Sequence, residues 1–352
     1  MGALYANKKR KSNSCVRAGD VPRVVSGGEP VLGGGSIGVV RVPLDLPAAE
    51  TSRFDAVGFG LNTMDVLAVV DGHPEPGSKG PIRQLAALPG GQAATAMTAC
   101  SRLGWRARYI GRFGDDPYGV SGLESLRDAG VDTAECKTIR GATNALSLIL
   151  VDRRSGQRTV LWSRHPALKM SAGDVSAEAV CSGRVLLVDC HETEAATEAA
   201  RYARGSGIPT VVDVEKVRPG IEALLEQIDV IITAQDFPTQ LTGVDGLGAA
   251  LQEIRRAFRP AIVCTTLGEA GSLTLTAEGE IRTPGFLVDT VDTTGAGDVF
   301  RGGFIAGWLL GGAEAQVEDV LRYANATAAL KCRALGGRSG IPTREEVAAL
   351  MM

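Results

Sequence analysis

The string with the most chemical content is Asp292-Thr293-Thr294-Gly295-Ala296-Gly297-Asp298, followed by the apolar helical stretch Val299, Phe300, Phe304, Ile305 and Trp308. Glycines on either side of a small alanine leave the backbone N–H groups of Gly295, Ala296 and Gly297 uncovered, and a helix beginning there adds its positive N-terminal dipole. Such a corner can hold phosphate charge. Asp298 stands in the first turn, where the dipole favours a carboxylate. From there it can take a hydroxyl proton while the neighbouring amides stabilise a transferring phosphoryl group. Taken alone, the string also fits a plain tight turn with a helix-start carboxylate. A second candidate is Pro89-Gly90-Gly91-Gln92, where paired glycines ahead of a helix let a substrate approach the backbone closely or simply make a loop. A third is Asp65, closing Gly58-Phe59-Gly60-Leu61-Asn62-Thr63-Met64-Asp65. Its carboxylate can accept two hydroxyl hydrogen bonds at once, which suits a polyol, although an aspartate after a strand is commonly a solvated turn residue.

These residues need a frame. From Phe54 onward, short apolar runs alternate with longer amphipathic ones. Strands are expected at residues 55–60, 108–111, 184–189, 210–214, 229–233 and 261–266. Helices are expected at 91–103, 118–129, 193–204, 220–227, 247–258, 295–310 and 317–332. The order predicts an α/β fold, a mostly parallel central sheet with helices on both faces. Segments 65–88 and 145–162 break the alternation with short extended runs between turn residues such as Gly72, Pro74, Gly77 and Ser155, and read as hairpins forming a small β lid. Residues 1–52 mix the basic run Lys8-Lys9-Arg10-Lys11 with glycines and prolines and no sustained period. They are expected to be a flexible N-terminal extension to one domain, residues 53–352.

Bulk properties narrow the function classes. A formal net charge of −3 provides no global basic field for nucleic acid or an anionic membrane, so any phosphate must be held locally. The seven cysteines are scattered and lack metal-ligand spacing, which suits a reduced cytoplasm. No apolar run reaches the roughly 20 residues needed to cross a bilayer. The basic run near the start is followed by polar residues instead of the apolar segment a secretory signal requires, so export is not expected.

The chemical strings, in their order, resemble the signatures of the PfkB (ribokinase-like) carbohydrate kinases across about residues 54–346. Asp292 to Asp298 resembles the C-terminal signature. Pro89 to Gly104, with Ile110-Gly111-Arg112-Phe113-Gly114-Asp115-Asp116, resembles the N-terminal one. Thr265-Thr266-Leu267-Gly268-Glu269-Ala270-Gly271 resembles the strand end that meets the nucleotide, and Asn325 the helix residue beside its base. The resemblance implies a ribokinase-like three-layer fold with a β lid, and ATP with Mg²⁺ as phosphoryl donor. It implies Asp298 as general base and Gly295, Ala296 and Gly297 as anion hole. Asp65, Gly90, Gly91, Gln92 and Thr95 would meet the sugar, and Thr266, Gly268, Gly271 and Asn325 the nucleotide. The same resemblance implies a monovalent cation such as K⁺ near Asp292 and a homodimer joined through the lids.

Departures from the family pattern bear on substrate and metal. Gln92 and Thr95 stand where ribokinase has a lysine and an asparagine, which argues against ribose. The tail, with Ala328-Ala329-Leu330-Lys331-Cys332 and Gly336-Gly337-Arg338, is most similar to the fructokinase and sulfofructose kinase branch, which implies a ketose or related sugar. Lys79 matches one sulfonate ligand of that branch, but Trp162 and His191 replace the other two, against a sulfonated substrate. His191 is expected to point into the sugar pocket, and Lys79 and Arg164 to meet any negative group from the lid. The family's Asn-x-x-Glu before Leu-Thr-Gly is missing in Ala234-Gln235-Asp236-Phe237-Pro238-Thr239-Gln240-Leu241-Thr242-Gly243, leaving Asp236 to organise Mg²⁺ through water. The rivals are a nucleoside kinase of the same fold and a non-catalytic sugar- or nucleotide-sensing homologue. A dinucleotide oxidoreductase is disfavoured because no GxGxxG follows the first strand.

Overall fold

The computed structural model of the chain describes residues 40–155 and 157–352. Its path begins with β1 (Ala56–Phe59), β2 (Thr63–Val70), β3 (Gln84–Gly90), α1 (Gln92–Arg102), β4 (Ala107–Ile110) and β5 (Arg112–Gly114). It continues through α2 (Pro117–Asp128), β6 (Lys137–Ile139), β7 (Leu146–Asp152), β8 (Arg158–Ser163), α3 (Ala177–Val180), β9 (Val185–Asp189), α4 (Thr193–Gly205) and β10 (Thr210–Val214). The remainder is α5 (Ile221–Leu225), β11 (Val230–Thr233), α6 (Phe237–Thr242), α7 (Leu247–Phe258), β12 (Ile262–Thr266), β13 (Ser272–Leu275), β14 (Glu280–Thr283), α8 (Ala296–Gly311), α9 (Val317–Lys331) and α10 (Arg344–Met351).

Eight strands form the main sheet in the order β14-β13-β12-β11-β10-β9-β1-β4. Pairing is parallel from β12 to β4 and antiparallel at β12-β13-β14. Every residue of β1, β4, β9, β10 and β11 is buried, as near-continuous apolar runs require when helices cover both faces. Strand alternation divides the core in two: on β9, Val185 and Leu187 pack with α1, α8 and α9, while Leu186 and Val188 pack with α4, α5 and α7.

On the first of these faces, α1 and α8 approach backbone to side chain. A Cβ on Gly302 would lie 2.6 Å from the Ala96 carbonyl oxygen and 2.6 Å from the Ala99 Cβ. Glycine at 302 therefore sets how near the start of α1 comes to the start of α8, the two ends that carry the chemical strings.

A second sheet, in the order β3-β2-β7-β8, stands off the first. It consists of two antiparallel hairpins, β2-β3 and β7-β8, joined by the parallel pair β2-β7. All six residues of β8 are exposed.

The expected flexible extension over residues 1–52 needs correction in its last part. Val40 and Val42 are buried, Leu44 and Leu46 pack beside them, and the Val42 N–H donates to the Ala315 carbonyl at 2.8 Å. The physical reason is a period-two apolar pattern, Val40, Val42, Leu44, Leu46, which one buried face of an extended segment demands. The remainder of that expectation, residues 1–39, lies outside the described residues.

Candidate active site

The turn before α8 is set by its own residues. Gly295 has φ 74°, in the left-handed region, and a Cβ there would lie 2.8 Å from the Gly337 Cα, so conformation and close approach both require glycine. Asp292 Oδ1 accepts from the Thr294 N–H at 2.9 Å and the Thr294 hydroxyl at 2.8 Å, and Oδ2 accepts from the Gly336 N–H at 2.7 Å. Burial acts to raise the Asp292 pKa, but these donors and the Lys331 charge outweigh it and hold the carboxyl below its ordinary value. Gly295 supplies no side-chain cap to α8; of the three amides expected to form an anion hole, Ala296 N–H already donates to the Thr293 carbonyl at 3.1 Å, which leaves those of Gly295 and Gly297 open to an outside anion.

Asp298 follows in the first turn of α8. Burial pushes its carboxyl up to about 6; Arg301 opposes this, while the charges of Glu215, Asp65 and Asp189 add to it. Among the described residues no group hydrogen-bonds to its side chain, so both oxygens are available to a substrate. One turn on, buried Arg301 pairs with Asp213 at 3.0 Å and donates to the Ile232 carbonyl at 3.2 Å, which ties α8 to β10 and β11. Burial raises the Asp213 pKa and Arg301 counters it.

Across from α8, Asp65 is buried on β2 and accepts from the Thr63 hydroxyl at 2.8 Å. Burial raises its pKa; the Thr63 and Ser147 hydroxyls and the Arg338 charge oppose that rise. A Cβ on Gly90 would strike the Asp65 carboxylate, and Gly91 has φ 96° with the Leu61 carbonyl oxygen 2.5 Å from any added Cβ. Gln92 and Thr95 are buried at the start of α1, and Gln92 Oε1 has no partner among the described residues.

Two residues that sequence reasoning did not select hold these pieces together. Arg338 is buried; its Nη2 donates to the Gly90 carbonyl at 2.5 Å and its Nε to the Thr95 hydroxyl at 3.3 Å, while Nη1 is buried without a partner among the described residues. Burial lowers its pKa to about 10 against the charges of Tyr109, Asp65 and Asp298. Asp189, at the end of β9, accepts from the N–H groups of Leu61 at 2.6 Å, His191 at 3.1 Å and Ala93 at 3.4 Å. A carboxylate ending a buried strand was the available signal for Asp189. For Arg338 it was only a place in a glycine-rich loop.

The other expected residues separate. His191 is half-buried beside Asp189, and burial lowers its pKa. Arg164, expected to face a negative group from the lid, is instead paired with buried Glu192 at 2.5 Å. Lys79 is exposed in the connection between β2 and β3, away from the buried cluster around Asp65. Thr266 ends β12 and its hydroxyl donates to the Thr233 carbonyl at 3.4 Å; Gly268 and Gly271 have φ 60° and 88° in the following turn. Asn325, expected beside the nucleotide base, directs Nδ2 to Ser272 Oγ at 3.2 Å, the Thr283 carbonyl at 3.2 Å and the Pro284 carbonyl at 3.4 Å. It ties α9 to β13 and β14, and its donor nitrogen is already engaged.

The donor sets treat the two expected cations differently. Asp236 is exposed just before α6, and no cluster of three or more His, Cys, Asp or Glu that could hold a metal ion occurs among the described residues. That sparse set fits Mg²⁺ carried on nucleotide phosphates, since this ion keeps several waters. A monovalent cation does not fit beside Asp292: its carboxylate already has three donors, and its carbonyl accepts from Lys331 Nζ at 2.9 Å.

Comparison with known proteins matches residues 54–344 to the family described as pfkB family carbohydrate kinase. The ATP-dependent ribose-1-phosphate kinase of Halopiger xanaduensis is 32% identical over 292 residues, covering 82% of this chain and 94% of that protein. Fructokinase-1 of Oryza sativa subsp. japonica is 27% identical over 287 residues, covering 75% and 88% respectively. Among solved structures, Arabidopsis thaliana ribokinase complexed with ribose and ATP superposes with a TM-score of 0.75 at 23% identity, over 85% of this chain and 98% of that one, which is a likeness of fold.

Proposed function

The chain belongs to the pfkB family of carbohydrate kinases, and we propose that it transfers the γ-phosphoryl group of ATP to a hydroxyl of a ketose or related sugar. The observation that carries this reading is Asp298: a carboxylate with no hydrogen-bond partner among the described residues, raised to about 6, in the first turn of an uncapped helix and within the electrostatic reach of Asp65. A base with that value is largely ionised near neutral pH yet basic enough to accept a proton as the acceptor oxygen forms its bond to phosphorus.

In the proposed reaction the sugar hydroxyl gives its proton to Asp298, its oxygen attacks the γ-phosphorus, and the bond to ADP breaks. The amides of Gly295 and Gly297 and the dipole of α8 take up charge on the transferring group. Asp65, Gly90, Gly91, Gln92 and Thr95 hold the acceptor, with His191 at its margin. Thr266, Gly268 and Gly271 line the nucleotide side with Asn325 behind them as a brace. Mg²⁺ would neutralise the nucleotide phosphates, with Asp236 acting through water.

A ketose is favoured by the likeness of the tail around Lys331 and Gly336 to the fructokinase branch and by the fructokinase among the relatives, while Gln92 and Thr95 argue against ribose. A homodimer through the lids is supported by the exposed apolar side chains Leu85, Val160, Leu161 and Trp162. A cytoplasmic setting accords with the free thiols of Cys100, Cys136, Cys181, Cys190, Cys264 and Cys332.

The test is magnesium-dependent ADP release with a panel of fructose, other ketoses, ribose, ribose 1-phosphate and nucleosides. Turnover with a ketose is the expected result. Turnover confined to nucleosides would make it a nucleoside kinase, and binding of sugar or ATP without turnover on any acceptor would make it a sensor.

A further inference from the structure

Lys331 is the most deeply buried charged side chain among the described residues, with 0% of its surface exposed. An ammonium taken out of water costs several kcal/mol unless its surroundings compensate. The compensation here is local. Nζ donates to the Asp292 carbonyl at 2.9 Å, and the negative charges of Asp292 and Asp298 favour the ammonium. Lys331 is also the last residue of α9, where the helix dipole favours a cation. At the same helix end, the Cys332 carbonyl accepts from the N–H groups of Val291 at 2.8 Å and Asp292 at 3.1 Å, so the segment entering the anion-hole turn is laced to the end of α9.

A main-chain carbonyl, the negative end of a helix and an adjacent carboxylate make the surroundings of a small monovalent cation. In this chain a side chain supplies the charge. Resting on the kinase reading above, we propose that the Lys331 ammonium is a built-in monovalent cation that positions the turn from Asp292 to Gly297, so that the protein takes up no potassium there. Lys331 acts through Asp292: its charge holds the Asp292 carbonyl, the Asp292 carboxylate holds Thr294 and Gly336, and the turn leads to the amides of Gly295 and Gly297. It is a positioning residue and touches no reacting atom.

Two readouts test this on the full chain. The first is thermal unfolding at constant ionic strength in potassium, ammonium or choline chloride, which needs neither sugar nor turnover. The wild-type midpoint should be the same in all three salts. Lys331→Ala, which opens a space of ammonium size, should melt lower in choline and recover part of the loss in potassium or ammonium. Lys331→Met, which keeps the apolar stem, should melt lower without recovery. The second readout is kinetic: Lys331→Met should lose about 10²-fold in kcat with KM for ATP and sugar little changed, the signature of misplaced groups. A potassium-specific rise in the wild-type midpoint or kcat would overturn the proposal, as would wild-type kcat in Lys331→Met. Should both variants fail to fold, the wild-type salt comparison decides alone. Should no sugar be accepted, the melting series decides independently of the kinase reading.

Discussion

The two sheets carry opposite sides of the proposed site and differ sharply in how they are buried. All residues of β9 and β10 are buried, and the groups around Asp298 are anchored by a buried ion pair and by the Asp292 network. On the other sheet, β8 is exposed along its whole length and Trp162 keeps 75% of its surface. The groups proposed to handle the phosphoryl are therefore set by folding itself. Asp65, proposed to hold the acceptor, belongs to a sheet with few apolar contacts on its outer side, the kind of unit that opens at low free energy. On the proposed reading, that division of burial keeps the anion hole fixed while a sugar is admitted.

The sharpest test of the fixed side is Asp298→Asn, expected to lower kcat by about 10² to 10⁴ while sugar affinity and the melting midpoint stay near wild type. Steady-state kinetics with a melting curve checks it, and near-normal turnover would remove Asp298 as the base. Next in size, Leu187→Ala in buried β9 should cost about 2–5 kcal/mol of stability. Leu161→Ala in exposed β8 should cost no more than about 0.5 kcal/mol in the monomer. Urea unfolding of the two variants measures the contrast, and equal losses would break the comparison.

On the acceptor side, Asp65→Asn should weaken sugar binding by about 10- to 10²-fold, the value of a charged hydrogen bond of roughly 1.5–3 kcal/mol, with ATP affinity unchanged. Calorimetric titration with each ligand separates the two. The smallest effect is in pH dependence. A base must be ionised to act, so kcat/KM should fall about tenfold per unit as pH drops below about 6, the value to which burial and the neighbouring carboxylates raise Asp298. The limb is carried by Asp298, which the charges of Glu215, Asp65 and Asp189 help to hold up. Removing one negative neighbour with Glu215→Gln should shift it to lower pH; an unmoved limb would detach Glu215 from the site.

Much of the frame was legible because its signals are local. The apolar runs expected as strands at 55–60, 108–111, 184–189, 210–214, 229–233 and 261–266 coincide with β1, β4, β9, β10, β11 and β12, and the 3.6-residue pattern over 247–258 coincides with α7. The antiparallel edge was not foreseen: β13 and β14 are four residues each and mix Ser, Thr, Glu and Arg with their apolar positions, so they read as loop. The glycine strings stood out for the same local reason, since a turn's need for glycine is written at that position. Arg338 did not, because its partner Gly90 lies 248 residues away. Asn325 was visible as a residue but not as a brace, since its partners on and after β13 and β14 appear only once the edge strands are in place. The buried pair Asp213–Arg301 and the ammonium of Lys331 share that difficulty: a charge in the sequence gives no sign of being inside.

Arg338 also orders events in time. A ribosome makes Gly90 and Thr95 well before the residue whose guanidinium holds their carbonyl and hydroxyl in place. A premature stop or a proteolytic cut between Asp298 and Gly336 leaves a fragment with both glycine strings, the base and Asp65, but without this bolt and without the Gly336 N–H on Asp292. Such a product would display both glycine strings while lacking the contact that holds Gly90 and Thr95 in place.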